Sequence, residues 1–401
     1  MIQRRPIRVM QVIARMNVGG PAVIVSELMR GLDKSTFEQL LVTGYCDDDE
    51  ADYLDQVATD IQATRIVGLG RSVSLIKDVK SFFLLMKLIR EFKPDVIHTH
   101  TAKAGFLGRI AAAFAGCPCV VHTYHGHVLE GYFGPALNQI LRWTERILGR
   151  YSHALCTVSE QQAVELSSRF AIAPANKFHV VPLGLYLDPY LAIPAPDFKA
   201  TRLTIGWMGR FVPIKNLRLL AQVVELTSLR QLPIDFLIAG DGPERAQFEE
   251  SIRILDLEHI RLLPWQDHVE SVLQRCHLMI LTSHREGTPL ALIQGMAAGR
   301  PFVSTPAGGT VDLTVGFGRF EAKSWWYENA VLVSGDAEAF VSVLERLLER
   351  REILVSMSES SRILAQKAFP DTRLVSDVAA LYRELLMQQE MNQAQMVEQS
   401  Q

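Results

Sequence analysis

The chain has 401 residues, of which 48% are apolar and 21% charged, and its formal net charge is −3. That length exceeds one ordinary core and implies two domains, while the composition excludes a disordered chain and the small negative charge excludes a dedicated nucleic-acid binder. The charge is uneven, with 20 Lys+Arg against 17 Asp+Glu through residue 185 and 21 against 27 beyond it.

Apolar runs alternate with helical-period segments from the start. Strands are predicted over 7–13, 40–43, 64–67, 95–99, 119–123, 154–158 and 178–182, with helices over 20–31, 73–92, 104–115, 136–151 and 160–169 between them. Near-continuous apolar strands joined by helices indicate a parallel sheet covered on both faces. Residues 186–200, with Pro189, Pro194 and Pro196 and little periodicity, read as a linker. The pattern then restarts, with strands over 203–208, 236–239, 260–263, 278–281 and 302–304 and helices over 216–229, 243–255, 268–275 and 289–298. Helices over 336–350, 352–367 and 371–388 close the chain, and the Gln-rich residues 391–401 read as a flexible tail. The fold class is therefore α/β, with two doubly wound Rossmann-like domains, 1–185 and 201–370, facing across a cleft. Their ligands belong at the carboxyl ends of the strands. Segment 371–390 is expected to pack back toward the first domain.

Five cysteines (Cys46, Cys117, Cys119, Cys156 and Cys276) show no CxxC spacing and read as free thiols in a reducing cytoplasm. No apolar run reaches the ~18 residues of a membrane span, and the first residues read as a strand rather than a signal peptide. There is neither a GxGxxG nor a GxxxxGK[ST], which argues against a dinucleotide dehydrogenase and a P-loop NTPase.

The richest segment is SHREGTPLALIQGMAAGRPFVSTPAGG, residues 283–309. Glu286 precedes Gly287, Thr288 and Pro289, and a helical pattern starts at Leu290, so a carboxylate stands at a helix mouth whose free N–H groups can bind an anion. Upstream, GRFVPIK puts Arg210 at a strand end and Lys215 at a helix start. A guanidinium grips phosphate oxygens bidentately and an ammonium adds a point charge. In MNVGGPA, Gly19-Gly20 lets the backbone approach a ligand closely after the first strand. By themselves these are surface charges and a turn as readily as ligands. CVVHTYHGH follows a strand and carries His122, His125 and His127, while His98 and His100 end the strand before it. Three histidines raise the idea of zinc, which needs convergent ligands and supporting hydrogen bonds. Asp47-Asp48-Asp49-Glu50 contains a formal DxD, read as a solvated loop.

Taken together, these segments resemble the retaining nucleotide-sugar glycosyltransferases of family 4, which have the GT-B fold, over about residues 5–390. The resemblance implies that Arg210 and Lys215 stabilise a departing diphosphate and that Glu286 holds hydroxyls of the transferred sugar. Thr123-Tyr124-His125 matches the family's T-x-H, which puts His125 near the reaction centre and makes His125, Glu286, Arg210 and Lys215 the catalytic candidates. Donor-binding candidates add Gly19, Gly20, Gly240 of GDGPER, Trp265 near the nucleobase, Gly287, Thr288, Pro289 and Leu290. Gly308-Gly309-Thr310 is expected near the ribose and phosphates. The family's second Glu, which holds the ribose, falls on Gln294, whose amide accepts and donates without charge assistance. His98, His100 and Lys103 are acceptor-side candidates. The implied function is transfer of a hexose or N-acetylhexosamine from a nucleotide diphosphate donor, a UDP-sugar first among them, to a hydroxyl of a glycan or lipid-linked acceptor. No metal and no cofactor are expected. The alternatives are a nucleotide-sugar 2-epimerase of the same fold and, because of Gln294, a non-catalytic nucleotide-sugar-binding protein. The basic amphipathic segments 73–92 and 137–151 suit an anionic membrane surface as well as an ordinary core-facing role. The expected location is the cytoplasm, with peripheral contact at the inner face of the membrane left open.

Overall fold

The computed structural model describes residues 5–48, 50–127, 129–130, 134–253, 259–266 and 268–399. The chain divides into two compact units, Met1–Leu185 with Asp371–Gln401, and Tyr186–Pro370.

The first unit is built on a seven-stranded sheet of order β3-β2-β1-β4-β5-β6-β7. Its strands are β1 Ile7–Ile13, β2 Phe37–Thr43, β3 Ala63–Arg65, β4 Val96–His100, β5 Cys119–Tyr124, β6 Ala154–Thr157 and β7 Phe178–Val180. All neighbours pair in parallel. Alternation along the strands decides which side chains meet which helices. Met10, Val12, Ile97 and Val120 form one core with Leu85 and Ile89 of helix Leu75–Phe92 and Leu107 and Ala111 of helix Ala102–Ala115. The alternate positions Gln11, His98, His100 and Thr123 face away from that core and are also buried. The last helix, Asp371–Gln399, delivers the buried Tyr382 to them. This helix is fixed at its start, where Arg373 donates to the carbonyls of Pro182 and Leu183 at 2.6 and 2.7 Å. It runs on past residue 391, because its Gln, Glu, Met and Ala residues are good helix formers.

The second unit carries an eight-stranded sheet of order β10-β9-β8-β11-β12-β15-β14-β13. The strands are β8 Leu203–Met208, β9 Ile234–Ala239, β10 Ile260–Leu263, β11 Leu278–Leu281, β12 Phe302–Ser304, β13 Arg319–Glu321, β14 Ser324–Trp326 and β15 Ala330–Val333. It is parallel from β10 to β15, and β14 and β13 extend it antiparallel. The segment around Trp325-Trp326 is this short hairpin. Trp325 packs on Phe320 with ring centres 4.7 Å apart, and the Arg346 guanidinium lies 4.6 Å over Trp326. Residues 186–200, read as a linker, are bound into this unit. They bury Leu187, Ile193 and Phe198, and Arg300 and Arg351 hold the carbonyls of Pro194 and Phe198.

Candidate functional site

At the carboxyl edge of the second sheet, the loop after β8 carries Arg210 and Lys215 and the loop after β11 carries Glu286. The first loop is pinned from below. Phe211 is 1% exposed and meets Trp207 and Phe248 edge-on, with ring centres 5.3 and 5.5 Å away. Phe211 N donates to Asp241 O and Gly209 N to Ala239 O. A Cβ on Gly240 would lie 1.9 Å from Gly209 O, so only glycine lets GDGPER underlie this loop. Gly240 is buried there, and its place in the structure is beneath the Arg210 loop, a supporting position rather than a surface open to a ligand.

Lys215 Nζ donates to Glu286 Oε1 at 2.6 Å, and Ser283 Oγ donates to the same oxygen at 2.6 Å. The two charged side chains are 19% and 10% exposed, so the ion pair is largely removed from water. The pair bridges the two loops, as does the hydrogen bond from His284 N to Ile214 O. Among the described residues, the Arg210 guanidinium has no hydrogen bond or ion pair, and it is half-buried. Helix Leu290–Ala297 begins at Pro289 with no side-chain cap, so its first N–H groups are open. The Glu286–Thr288 turn is held from the other side by Gly308 and Gly309. Gly309 N donates to Gly287 O at 2.8 Å, and a Cβ on either glycine would fall 2.0 Å from a backbone oxygen of Glu286 or Gly287. Gln294 Nε2 donates to the Tyr190 hydroxyl at 2.9 Å, so the amide at the second-Glu position is engaged within its own unit. Trp265 follows β10 and is 36% exposed.

In the first unit, β1, β4 and β5 bring their carboxyl ends together through parallel register, with His98 opposite both Gln11 and Val121. Gly19 and Gly20 follow β1, and helix Gly20–Gly31 starts there with no side-chain cap and no acidic residue in its first turn. Thr101, just past β4, has φ 66° and ψ 159°, a conformation that costs a residue with a side chain about 1–3 kcal/mol and tends to mark functional loops. His125 follows β5. Its Nε2 lies 3.0 Å from His100 Nδ1, and its Nδ1 is shielded from solvent with no partner among the described residues. Burial pushes His98 down to about 3 and His125 to about 4, and it holds His100 and His122 well below the usual histidine range. All four rings are neutral at pH 7.

Two sequence-based expectations are corrected here. His98 and His100 are 1% and 0% exposed and are enclosed by Tyr382, Thr123 and Gln11, so they do not line an acceptor surface. Lys103 donates to the Gly68 carbonyl at 2.8 Å and pairs with Asp78 at 2.6 Å, which commits its charge to fastening the loop before helix Leu75–Phe92. In the acidic run, Asp47 and Asp48 are exposed, as a solvated loop requires, and Asp49 lies outside the described residues, while Glu50 is 3% exposed and paired with Arg15. The histidines of CVVHTYHGH do not converge: His122 meets Thr99, His125 meets His100 and His127 meets Glu165. Sequence reasoning missed Ser283, Gln11 and Tyr382. Ser283 was in view inside the key motif, whereas nothing local marks a tyrosine 284 residues from its histidine partner.

Residues 19–184 match the family model of the glycosyl transferase 4-like domain, and residues 202–350 match that of glycosyl transferases group 1. The Escherichia coli UDP-Gal:alpha-D-GlcNAc-diphosphoundecaprenol alpha-1,3-galactosyltransferase is 28% identical over 349 residues, which cover 84% of this chain and 86% of that protein. The Staphylococcus aureus capsular polysaccharide biosynthesis glycosyltransferase CapM is 21% identical over 347 residues, covering 82% and 87%. The crystal structure of Anabaena Alr3699/HepE in complex with UDP and glucose is similar with a TM-score of 0.74 at 16% identity, covering 94% of this chain and 99% of that one. Both halves of the chain therefore match along nearly their whole length, and the two parallel α/β sheets with closing helices make the GT-B fold. The chain belongs to family 4 of the glycosyltransferases and is a sugar-transferring enzyme.

Proposed function

We propose that the chain is a retaining transferase that moves a hexose or N-acetylhexosamine from a UDP-sugar to a hydroxyl of a glycan or lipid-linked acceptor, without a metal ion, in surface polysaccharide or glycoconjugate assembly. One observation carries this reading. The Lys215–Glu286–Ser283 cluster stands at the uncapped start of helix Leu290–Ala297. A departing diphosphate needs preorganised cations and N–H donors, and Arg210, Lys215 and the helix N–H groups are of that kind. In this reading Arg210 and Lys215 hold the diphosphate, with the Gly19-Gly20 turn as a further source of backbone donors. Glu286 and His125 take hydroxyls of the transferred sugar. The bond from the anomeric carbon to the diphosphate breaks with its electron pair going to phosphate. The acceptor oxygen bonds to the same face of that carbon, its proton passes to the leaving group, and no covalent enzyme intermediate forms. Gln294 takes the ribose with one uncharged hydrogen bond. The Escherichia coli relative's name pairs a UDP-sugar with a lipid diphosphate acceptor, and the Anabaena crystal holds UDP and glucose.

A membrane surface is the proposed route to a lipid-linked acceptor. Helix Leu75–Phe92 exposes Leu75, Ile76, Val79 and Phe83 beside Lys77, Lys80, Lys87 and Arg90, and helix Pro135–Tyr151 exposes Ile140 and Trp143. Among the described residues no helix is long and apolar enough to cross a membrane. The test of the transferase reading is a calorimetric panel of nucleotide sugars followed by donor consumption with a polyprenyl diphosphate-linked sugar. Binding of one UDP-sugar with acceptor-dependent release of UDP is the expected result, and failure to bind any nucleotide sugar would end the proposal.

A further inference from the structure

A buried hydrogen-bonded chain in the first unit stands behind His125, and its other members have no role in the transfer as proposed. It runs from Tyr382 of the last helix through Gln11 and His100 to His125. Gln11 Nε2 donates to the Tyr382 hydroxyl at 3.2 Å, which turns the amide oxygen toward His100 Nε2, 2.9 Å away. An amide oxygen only accepts, so His100 carries its proton on Nε2. A neutral imidazole has a single N–H, so His100 Nδ1 is then an acceptor, and His125 Nε2, 3.0 Å from it, is the donor. His125 is left with a bare lone pair on Nδ1, the atom that is shielded from solvent and has no partner among the described residues. The remaining contacts obey the same polarity. The Tyr382 hydroxyl gives its proton to His98 Nδ1 at 2.6 Å, and His98 Nε2 donates to Thr123 Oγ1 at 2.6 Å.

We propose that Gln11, with its amide nitrogen on Tyr382, is a positioning residue that sets through His100 the tautomer in which His125 presents Nδ1 as an acceptor to a hydroxyl of the transferred sugar. This rests on the reading of His125 as a donor-sugar residue. A sugar lacking the hydroxyl leaves a buried lone pair unpaired, which is how a polar site rejects a deoxy analogue more strongly than an apolar pocket does. Neutrality protects the arrangement, because a second proton on any ring would turn an acceptor into a donor and break the sequence. The low histidine affinities for protons keep every ring in its assigned form at neutral pH.

The experiment is nitrogen NMR on the full chain labelled at histidine, with the His125 signals identified by their loss in His125→Asn. The expected result is a protonated Nε2 and a bare Nδ1. Tyr382→Phe should move the tautomer ratio of His125 toward the other form by about fivefold, the worth of one ordinary hydrogen bond. Phe37→Leu trims a ring packed 6.3 Å from Tyr382 without touching a polar atom of the chain. It should leave the tautomer unchanged whatever it does to the melting temperature. A protonated Nδ1 in the unaltered protein overturns the assignment, whether or not Tyr382→Phe folds. An unchanged tautomer in Tyr382→Phe also overturns it. If His125→Asn turns over at the normal rate, the sugar contact and the reading beneath it fail, a result separate from a wrong tautomer.

Discussion

Replacing Lys215 with Met keeps most of the stem and removes the charge, leaving Ser283 Oγ as the remaining described donor to Glu286 Oε1. At 2.6 Å the gross attraction of the pair is about 6 kcal/mol for an effective dielectric constant near 20. Most of that is offset by the desolvation of two side chains that keep only 19% and 10% of their exposure. Removing one partner strands the other, so either Lys215→Met or Glu286→Gln is expected to cost about 2–3 kcal/mol. In a unit of this size that lowers the melting temperature by roughly 4–12 °C. Removing both should be close to neutral for stability, because no unpaired charge is left. Activity should follow a different pattern. Under the proposed mechanism, each single variant and the double variant lose at least about tenfold in turnover, since each removes a group assigned there to the reacting sugar or its leaving group. Calorimetric melting and a donor-consumption assay on the four proteins separate the two effects. If turnover recovers together with stability in the double variant, the cluster is a structural clamp and its catalytic assignment is wrong. Unchanged rates in the single variants would refute it as directly.

Gln294→Glu should tighten UDP-sugar binding by about fivefold through charge assistance, and calorimetry that finds equal or weaker binding would remove Gln294 from the ribose contact. Gly309→Ala puts a methyl 2.0 Å from Gly287 O; it should destabilise by more than about 2 kcal/mol and depress turnover. Gly335→Ala, at φ +77° with open space around it, should cost only about 1–2 kcal/mol. Equal losses by denaturant unfolding would contradict the close packing described here. Acid should unfold the first unit through its histidines. Their folded affinities are lowered, so the unfolded chain binds more protons below about pH 6.5, and stability present above that pH is lost as pH falls toward about 4, the folded value of His125. His125 alone would contribute on the order of 3 kcal/mol, and denaturant midpoints that stay level from pH 7 to about pH 4.5 would contradict the network. Flotation with anionic vesicles should be lost when Lys77, Lys80 and Lys87 become Glu, each basic residue being worth about 1 kcal/mol at such a surface; flotation unaffected by charge reversal would assign those helices another role.

The parallel order of both sheets was legible because buried strands are apolar runs and the crossovers carry a helical period. The hairpin of β13 and β14 was not. Its strands are three residues long, and its turn places Ala322 and Lys323 at φ 48° and 63°, a geometry usually announced by Asn-Gly. Arg210, Lys215 and Glu286 stand out in the sequence because they sit in dense local motifs, and the structure brings Lys215 and Glu286 into contact across 71 residues. Whether a strand-end side chain is open or covered is a different kind of question. His98 and His100 resemble surface ligands until Tyr382 arrives over them, and Lys103 resembles a free cation until the loop carrying Gly68 folds onto it. Those answers depend on distant segments, which periodicity and spacing do not register.

The return of helix Asp371–Gln399 to the first unit also sets an order of assembly. Residues of the second unit are contiguous, so that unit can close as soon as it has been synthesised. The first unit begins earlier and finishes later, because Gln11 and His98 must wait for Tyr382. During synthesis the domain made first is therefore the last to mature, the reverse of the usual vectorial sequence. Until then Gln11 Nε2 and His98 Nδ1 lack the Tyr382 hydroxyl that joins them, and a partly satisfied polar network is a costly one to bury.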